Sequence, residues 1–433
     1  MRKKSPDKHY IHLDKKKKFQ NYETLINTPQ YVERHGFYPF VHFDITFKKY
    51  IFNKDTKKKE LKKKVRPIKY AAHIDRFIYQ KYARLTNEEY DQFAKRNGIH
   101  RASIAYRKSL KGKNNIHFAK EVFEFMAKQK QAYIFLGDFT SFFDNLDHDY
   151  LKERLMEVFD TTHLSDAHYA VFKNISKYSY LNLSDIESEK EVKLKQMNEQ
   201  KLMKFFTTEE FHTFKRKNLK KNIAPFGIPQ GSPISAVYAN VYMTQFDKKM
   251  NDYATSRKGI YRRYSDDFIV VLPVENSDDH KAHATWITQL SDSIPRLDLQ
   301  AEKTEHFLFN KEEDTSLQSV TGKSVFMNYL GFRFDGRTVT IRDKSLFKYY
   351  SRAYRKARTV AKNKGKKNEK IILRKMLNLY TYIGDQRKEK DYGNFITYAQ
   401  KADQMFSDSP LLNSEIKNQI QRHWKKINKI VKG

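Results

Sequence analysis

The sequence predicts an α+β protein, and three observations carry that reading. Apolar runs of strand length end in acids or polar tips, longer segments on either side carry apolar residues at helical spacing, and Gly, Pro and Asp turns separate them. From Arg66 to Phe93 the residues Ile74, Phe77, Ile78, Tyr82 and Leu85 fall at helical spacing. A second helix with Phe118, Val122, Phe123 and Met126 is expected after Asn115, completing an N-terminal helical region. Tyr133-Ile134-Phe135-Leu136-Gly137 is too short for a buried helix and reads as a core strand ending at Asp138. Asp147 can then cap a helix carrying Tyr150, Leu151, Leu155 and Val158 on one side.

Residues 176–222 are polar, charged and weakly helical in pattern, and read as an insertion without a usable motif. Gly227 to Ser235 is a Gly/Pro/Ser loop that opens a helix with Val237, Asn240, Val241 and Thr244. Tyr261 to Tyr264 and Phe268 to Leu272 flank a polar tip, the pattern of a β-hairpin. A further hairpin is expected from Tyr329-Leu330-Gly331-Phe332-Arg333-Phe334 through the turn Asp335-Gly336 to Val339-Thr340-Ile341. Beyond residue 345 the chain is helical and basic, with a Gly/Lys/Asn break at 362–368.

Composition narrows the function. The 433 residues hold 84 Lys+Arg against 51 Asp+Glu, and 84 − 51 gives a formal charge of +33. Clustered cations displace counterions from phosphates, so a polyanion, nucleic acid first, is the expected partner. Any one Lys run (Lys15–Lys18, Lys57–Lys59, Lys62–Lys64) is as well explained as a solvated face; their sum is not. With 39% hydrophobic and 14% aromatic residues, wholesale disorder is excluded, and the length suits two or three domains. The absence of cysteine excludes disulfides, thiolate zinc sites and cysteine nucleophiles. No apolar run approaches the roughly 20 residues of a membrane span, and the Lys-rich N-terminus has no apolar signal core. A cytoplasmic location without a membrane partner is the expectation.

The acids are the informative exception to the positive charge. Tyr264-Ser265-Asp266-Asp267 places two acids at a hairpin tip, where a turn tolerates Asp in any case; Asp278-Asp279, in a polar stretch, is the uninformative counterpart. Asp138, at the end of its own strand, changes the weighting. If the two elements neighbour each other in one sheet, Asp138 and Asp266 converge at one edge. They would then offer hard oxygen ligands to two Mg²⁺ ions about 3.5–4 Å apart, the arrangement of phosphoryl transfer.

These residues also carry a family resemblance. The stretch from Asp138-Phe139-Thr140-Ser141-Phe142-Phe143 to Asp147-His148 resembles motif A of reverse transcriptases, particularly the bacterial retron and group II intron branch. Gly227-Ile228-Pro229-Gln230-Gly231-Ser232-Pro233-Ile234-Ser235 resembles motif B and Tyr264-Ser265-Asp266-Asp267 motif C. Leu299 with Lys303-Thr304 resembles motif D, and Tyr329-Leu330-Gly331-Phe332 the motif E primer grip. Val320-Thr321-Gly322 precedes motif E and is taken as coincidence with the retron Val-Thr-Gly.

The resemblance implies a right-hand polymerase, with an antiparallel palm sheet packed on helices and a helical thumb. Its expected divisions are a basic extension at 1–60, fingers at 61–135, a palm at 136–335 with the 176–222 excursion, and a basic thumb at 336–433. It implies that Asp138 and Asp266 ligate two Mg²⁺ ions, for which Mn²⁺ could substitute, with the Phe139 carbonyl adding an oxygen and Asp267 as auxiliary acid. Phe143 would be the steric gate against a ribose 2′-hydroxyl, with Phe142 beside it in the core. Gln230 and Gly231 would approach template and nucleotide, and Lys303 would assist the leaving pyrophosphate. Arg107 would hold the triphosphate, with Arg66 and Arg101 as rivals, since a guanidinium makes bidentate phosphate contacts. Arg352, Arg355, Lys356 and Arg358, with Tyr349, Tyr350 and Tyr354 interleaved, would grip RNA or the product duplex.

Arg66-Pro67-Ile68-Lys69-Tyr70 through Tyr82, Ala105-Tyr106-Arg107 and Asn115-Ile116 look most like the stand-alone "unknown group" of bacterial reverse transcriptases. That likeness implies an RNA-directed DNA polymerase in antiviral defence. It would use dNTPs to copy a cognate structured non-coding RNA into cDNA, and a homo-oligomer stays open. Two alternatives stand beside it: an untemplated or protein-primed polymerase of abortive-infection type, and a non-catalytic, maturase-like RNA-binding protein.

Overall fold

The computed structural model describes residues 10–53, 58–107, 109–275, 279–312, 316–320, 326–382, 393–421 and 423–432. Lys57, Asp278, Thr321 and Gly322, singled out above, lie outside them. In chain order the elements begin with two short helices, α1 (Glu23–Asn27) and α2 (Pro29–Arg34), and a long hairpin of β1 (Phe40–Asn53) and β2 (Lys58–Tyr70). Next come α3 (His73–Arg96), α4 (Asn115–Lys128), β3 (Gln131–Asp138), α5 (His148–Val158) and α6 (Asp166–Ser176). The excursion comprises β4 (Ser179–Asn182), α7 (Leu183–Glu189), α8 (Leu194–Glu199), α9 (Thr208–Asn218) and β5 (Lys220–Lys221). It is followed by α10 (Ser235–Tyr242), α11 (Thr244–Ser256), β6 (Ile260–Tyr264), β7 (Asp267–Pro273) and α12 (His280–Asp292). Then come β8 (Glu305–Asn310), β9 (Leu317–Ser319), β10 (Met327–Tyr329), β11 (Phe332–Phe334) and β12 (Thr338–Ile341). The chain closes with α13 (Asp343–Lys362), α14 (Glu369–Tyr380), α15 (Phe395–Ser407), β13 (Asn413–Ser414), α16 (Ile416–Gln421) and α17 (His423–Lys432).

The expected α+β architecture is present, built on a five-stranded antiparallel sheet in the order β6-β7-β3-β8-β9. Both of its faces are covered. Tyr133 and Phe135 of β3, with Val270 and Leu272 of β7, join a core with α3, α5, α10 and α11. Ala132, Ile134 and Leu136, with Ile269 and Val271, join another with α4, β10 to β12 and α15. Two buried faces explain why these strands read as continuous apolar runs instead of alternating with polar residues.

Two expectations need correction. The helical spacing read from Arg66 begins only at His73, because Arg66 to Tyr70 pair with Val41 to Ile45 as strand. The strand β2 of that hairpin runs through residue 60. The strand read over Tyr329–Phe334 is two strands, folded back at Leu330 and Gly331, whose φ values are 46° and 93°. The 176–222 excursion is a packed unit. Phe205, Phe206 and Phe214 share a small core with Ile11, Leu13, Val41 and Leu181, so β4 extends the β1–β2 sheet. Asp147 caps α5 as expected, accepting from the N–H groups of Asp149 and Tyr150.

Candidate active site

The sheet edge where β3 ends and β7 begins gathers three carboxylates. Asp138 stands opposite Asp267 in register, and Asp266 occupies the two-residue turn between β6 and β7 beside Ser265. The Phe139 N–H donates to the Asp266 carbonyl at 3.3 Å. On the other side of β3, the Gln300 N–H donates to the Asp138 carbonyl at 2.8 Å and the Thr140 N–H to the Asp298 carbonyl at 2.9 Å. This short ladder brings Lys303 over the acids, with Nζ 2.6 Å from Asp138 Oδ1.

The electrostatics of this edge favour a cation. Burial raises the Asp266 pKa and the Asp138 charge raises it further, while Lys303 offsets part of the rise. Asp267 is pushed up by burial, then by its hydrogen bond to Asp138 and the Asp266 charge. Crowded, desolvated carboxylates resist carrying their charges unless a positive partner joins them. A hard, all-oxygen donor set of this kind fits a divalent ion such as Mg²⁺.

Above Asp138 and Asp266 lies a cleft of about 240 Å³ whose walls include Arg66, Tyr106, Phe143, Gln230 and Lys303. Backbone contacts bring these remote residues together. The Lys69 N–H donates to the Gln230 carbonyl at 2.9 Å, laying the 227–235 loop against the end of β2. Gly231 allows this approach: its φ is 119°, and a Cβ there would stand 2.7 Å from the Lys69 carbonyl oxygen. The Ile228 N–H donates to the Phe143 carbonyl at 2.9 Å, fixing the turn over Phe142–Asp144. Phe142 is buried in the core and Phe143 is half-buried, and both border the cleft.

Other predicted residues are placed differently. Arg107 is not at the cleft. Its guanidinium is buried against Tyr90 and donates to Asp91 Oδ1 at 2.6 Å and to the carbonyls of His100 and Ser103 at 3.2 Å. Arg101 is exposed outside the cleft lining, which leaves Arg66, exposed at its rim, as the guanidinium of the three. Asp267 faces a neighbouring cavity of about 630 Å³ shared with Tyr264, Asn115 and Leu330. Of the four residues expected to grip a primer, Tyr329 and Phe332 are core, and Leu330 alone lines that cavity, its carbonyl held by a 2.9 Å bond from Asn115 Nδ2.

Arg352, Arg355, Lys356 and Arg358 are exposed along α13, opposite buried Ala353, Ala357 and Val360. The aromatics between them are not exposed for stacking on RNA. Tyr349 stacks on Phe395, and Tyr350 and Tyr354 gather around His423, because helical spacing turns them inward.

Sequence reasoning missed Tyr106 on the cleft wall and the buried pair Arg263–Asp247 behind the turn. An arginine alternating with Tyr261 on the inward side of an apolar strand was the available signal for the latter. Among the described residues no helix is long and apolar enough to cross a membrane.

Residues 56–334 match the family described as reverse transcriptase (RNA-dependent DNA polymerase). No curated protein matches the chain. Similar solved structures include apo telomerase from Candida tropicalis truncated from its C-terminal domain, at 13% identity and a TM-score of 0.41, covering 70% of this chain and 57% of that one. The untruncated apo telomerase shows 14% identity and a TM-score of 0.42, with 89% and 67% covered. Telomerase from Candida albicans in complex with a TWJ fragment of telomeric RNA shows 14% identity and a TM-score of 0.41, with 95% and 69% covered. The chain thus spans little more than half the length of the truncated telomerase.

Proposed function

The chain belongs to the reverse transcriptase (RNA-dependent DNA polymerase) family, and from that premise we propose that it copies RNA into DNA at the Asp138–Asp266 edge. The observation that carries this reading is the convergence of Asp138, Asp266, Phe143, Gln230, Arg66 and Lys303 on one cleft. Asp138 and Asp266, with the Phe139 carbonyl, would hold two Mg²⁺ ions, and Asp267 would add negative charge beside them. Bound there, such ions lower the pKa of a primer 3′-hydroxyl and neutralise a leaving pyrophosphate.

The protein's own groups supply the rest. Phe143 narrows the cleft where a ribose 2′-hydroxyl would sit, and Gln230 is fixed through its backbone to β2. Arg66 offers a two-pronged cation to a triphosphate, and Lys303 can deliver a proton to the leaving group. The Leu330–Gly331 turn would steady a primer end, and α13 the duplex beyond it.

The source of the template is a finer proposal, supported by the sequence resemblance to stand-alone bacterial reverse transcriptases. A cognate structured non-coding RNA would be copied into cDNA during defence against phage. The purified 433-residue chain given primed RNA, dNTPs and Mg²⁺ should extend the primer. Asp266→Ala with Asp267→Ala should abolish extension while RNA binding persists. Equal extension by the double variant would overturn the assignment of the reaction to this edge, and RNA binding without extension by the parent chain would favour a maturase-like RNA binder. Extension without template would favour the untemplated alternative, which sequencing of the nucleic acid that co-purifies would also expose.

A further inference from the structure

The turn that bears Asp266 is held from behind by a fully buried charge network. Arg263 and Asp247 are both 0% exposed and meet through two bonds, Nε to Oδ1 at 2.7 Å and Nη2 to Oδ2 at 2.6 Å. The Tyr261 hydroxyl donates to the same Asp247 Oδ1 at 2.7 Å. The remaining guanidinium nitrogen, Nη1, donates to the Ser265 carbonyl at 2.8 Å and approaches Asn240 Oδ1 at 3.4 Å. Asn240 reaches on to a second segment, accepting from Ser103 Oγ at 3.0 Å and donating to the Ala105 carbonyl at 2.9 Å. The backbone completes the join, with the Arg263 N–H donating to the Ala102 carbonyl at 2.8 Å and the Ile104 N–H to the Arg263 carbonyl at 2.9 Å.

The two segments tied this way end in strained residues on the cleft. Ser265 has a φ of 64° and Tyr106 a φ of 61°. Left-handed backbone at a residue with a side chain is strained and persists where surrounding contacts over-determine it. A buried ion pair is a weak source of net stability, since desolvation offsets most of its attraction, so its value lies in the geometry it imposes. Here it imposes geometry on both sides of one cleft: Asp266 on the floor and Tyr106 on the wall, with the Tyr106 ring centroid 6.4 Å from that of Tyr264.

We infer that Arg263, Asp247 and Asn240 are positioning residues. They clamp the Asp266 turn and the Tyr106 segment into one rigid unit, so that divalent-ion binding and nucleotide binding both depend on side chains that touch neither ligand. The inference rests on the polymerase reading above, and its test separates the two. The probe is the full chain with poly(rA)/oligo(dT), dTTP and Mg²⁺, alongside direct Mn²⁺ binding followed by electron paramagnetic resonance.

Arg263→Lys keeps a cation for Asp247 but cannot also reach the Ser265 carbonyl. It should raise the half-saturating Mg²⁺ concentration and the Mn²⁺ dissociation constant by about tenfold, the cost of misplacing a ligand by a fraction of an ångström. Ser103→Ala leaves the ion pair intact and frees only the Tyr106 segment. It should raise KM for dTTP about threefold, with kcat and Mn²⁺ affinity unchanged, because a lost neutral hydrogen bond contributes little more than that. Variants that melt with the wild-type chain yet keep its Mg²⁺ dependence, Mn²⁺ affinity and KM would overturn the clamp. If Arg263→Lys does not fold, the KM of Ser103→Ala decides alone. A wild-type chain that incorporates no dTTP would instead overturn the polymerase reading, while Mn²⁺ affinity in the Arg263→Lys chain still judges the clamp.

Discussion

Lys303 Nζ lies 2.6 Å from Asp138 Oδ1, joining residues 165 positions apart at the floor of the cleft. The lysine side chain remains 43% exposed, so the pair is screened and contributes at most about 1 kcal/mol to stability. The proposed role of Lys303 is chemical, as a cation beside Asp138 that donates a proton to the leaving group. Lys303→Met should therefore leave the melting midpoint within a degree or two and slow single-turnover nucleotide incorporation by about 10²-fold, the usual worth of a lost general acid. Lys303→Arg should recover little of this, because a guanidinium keeps the charge and withholds the proton. Wild-type rates in Lys303→Met would remove it from the chemistry.

Phe143 is held at the cleft from two directions. Its ring packs edge-on against Phe142 at 5.6 Å, and its carbonyl accepts from Ile228 whatever the side chain. Phe143→Ala should thus preserve the loop and enlarge the cleft only where a sugar would sit. The preference for dNTP over rNTP, measured as a ratio of kcat/KM values, should fall by roughly 10–100-fold while dNTP use changes a few-fold. An unchanged ratio would place the gate elsewhere.

How far the sequence disclosed this site depended on whether the signal was local. Asp138 was legible because it closes an apolar run of strand length, and Asp266 because it sits at the polar tip just before another, runs made continuous by the covering of both sheet faces. The β1–β2 hairpin was not read, although Phe43, Ile45 and Phe47 alternate at strand period, because Lys-rich surroundings look like solvated surface. Arg107 and Arg66 were indistinguishable as cations in sequence. Only the fold shows one buried against Asp91 and the other at the rim. Strand alternation with Tyr261 could mark Arg263 as inward-facing, but its partner Asp247 lies 16 residues away on another element, and no periodicity names it.

Two buried histidines, His12 and His423, and the half-buried His168 should weaken the fold toward acid pH. Burial lowers the pKa of His12, His168 and His423 to about 4. His12 donates to the Tyr70 carbonyl, His168 packs against Tyr82 and Phe159, and His423 stacks on Tyr350. Each is neutral when folded but protonates near 6.5 when unfolded. The stability they contribute is fully present above pH 6.5 and is lost as the pH falls toward 4, by on the order of 2 kcal/mol for each. Asp75, pushed up to about 6 by burial, acts in the opposite sense, as do the raised Asp266 and Asp267, so the carboxyls offset part of what the three histidines lose. The urea midpoint should accordingly drop between pH 6.5 and 4.5, and His12→Gln with His423→Gln should flatten the drop. A midpoint independent of pH in the parent chain would contradict the assignment.

The outward face of α13 is the remaining charge question. Leu346, Tyr349, Ala353, Ala357 and Val360 bury one side of this helix, which leaves Arg352, Arg355, Lys356 and Arg358 on the other with no carboxylate partner among the described residues. Such a row either binds phosphates or is merely solvated, and salt distinguishes the two. Each phosphate contact releases about one condensed cation, so the slope of log affinity against log salt falls by about 0.7–0.9 for every contact removed. Replacing all four with Glu should weaken RNA binding and flatten that slope, at nearly unchanged melting temperature, since none of the four is packed. Tyr354→Leu should do the reverse, lowering stability through its lost contact with His423 and leaving the slope as it was. A steep, unaltered slope in the four-Glu chain would assign the face to solvent and move the RNA grip to the Lys-rich β1–β2 hairpin.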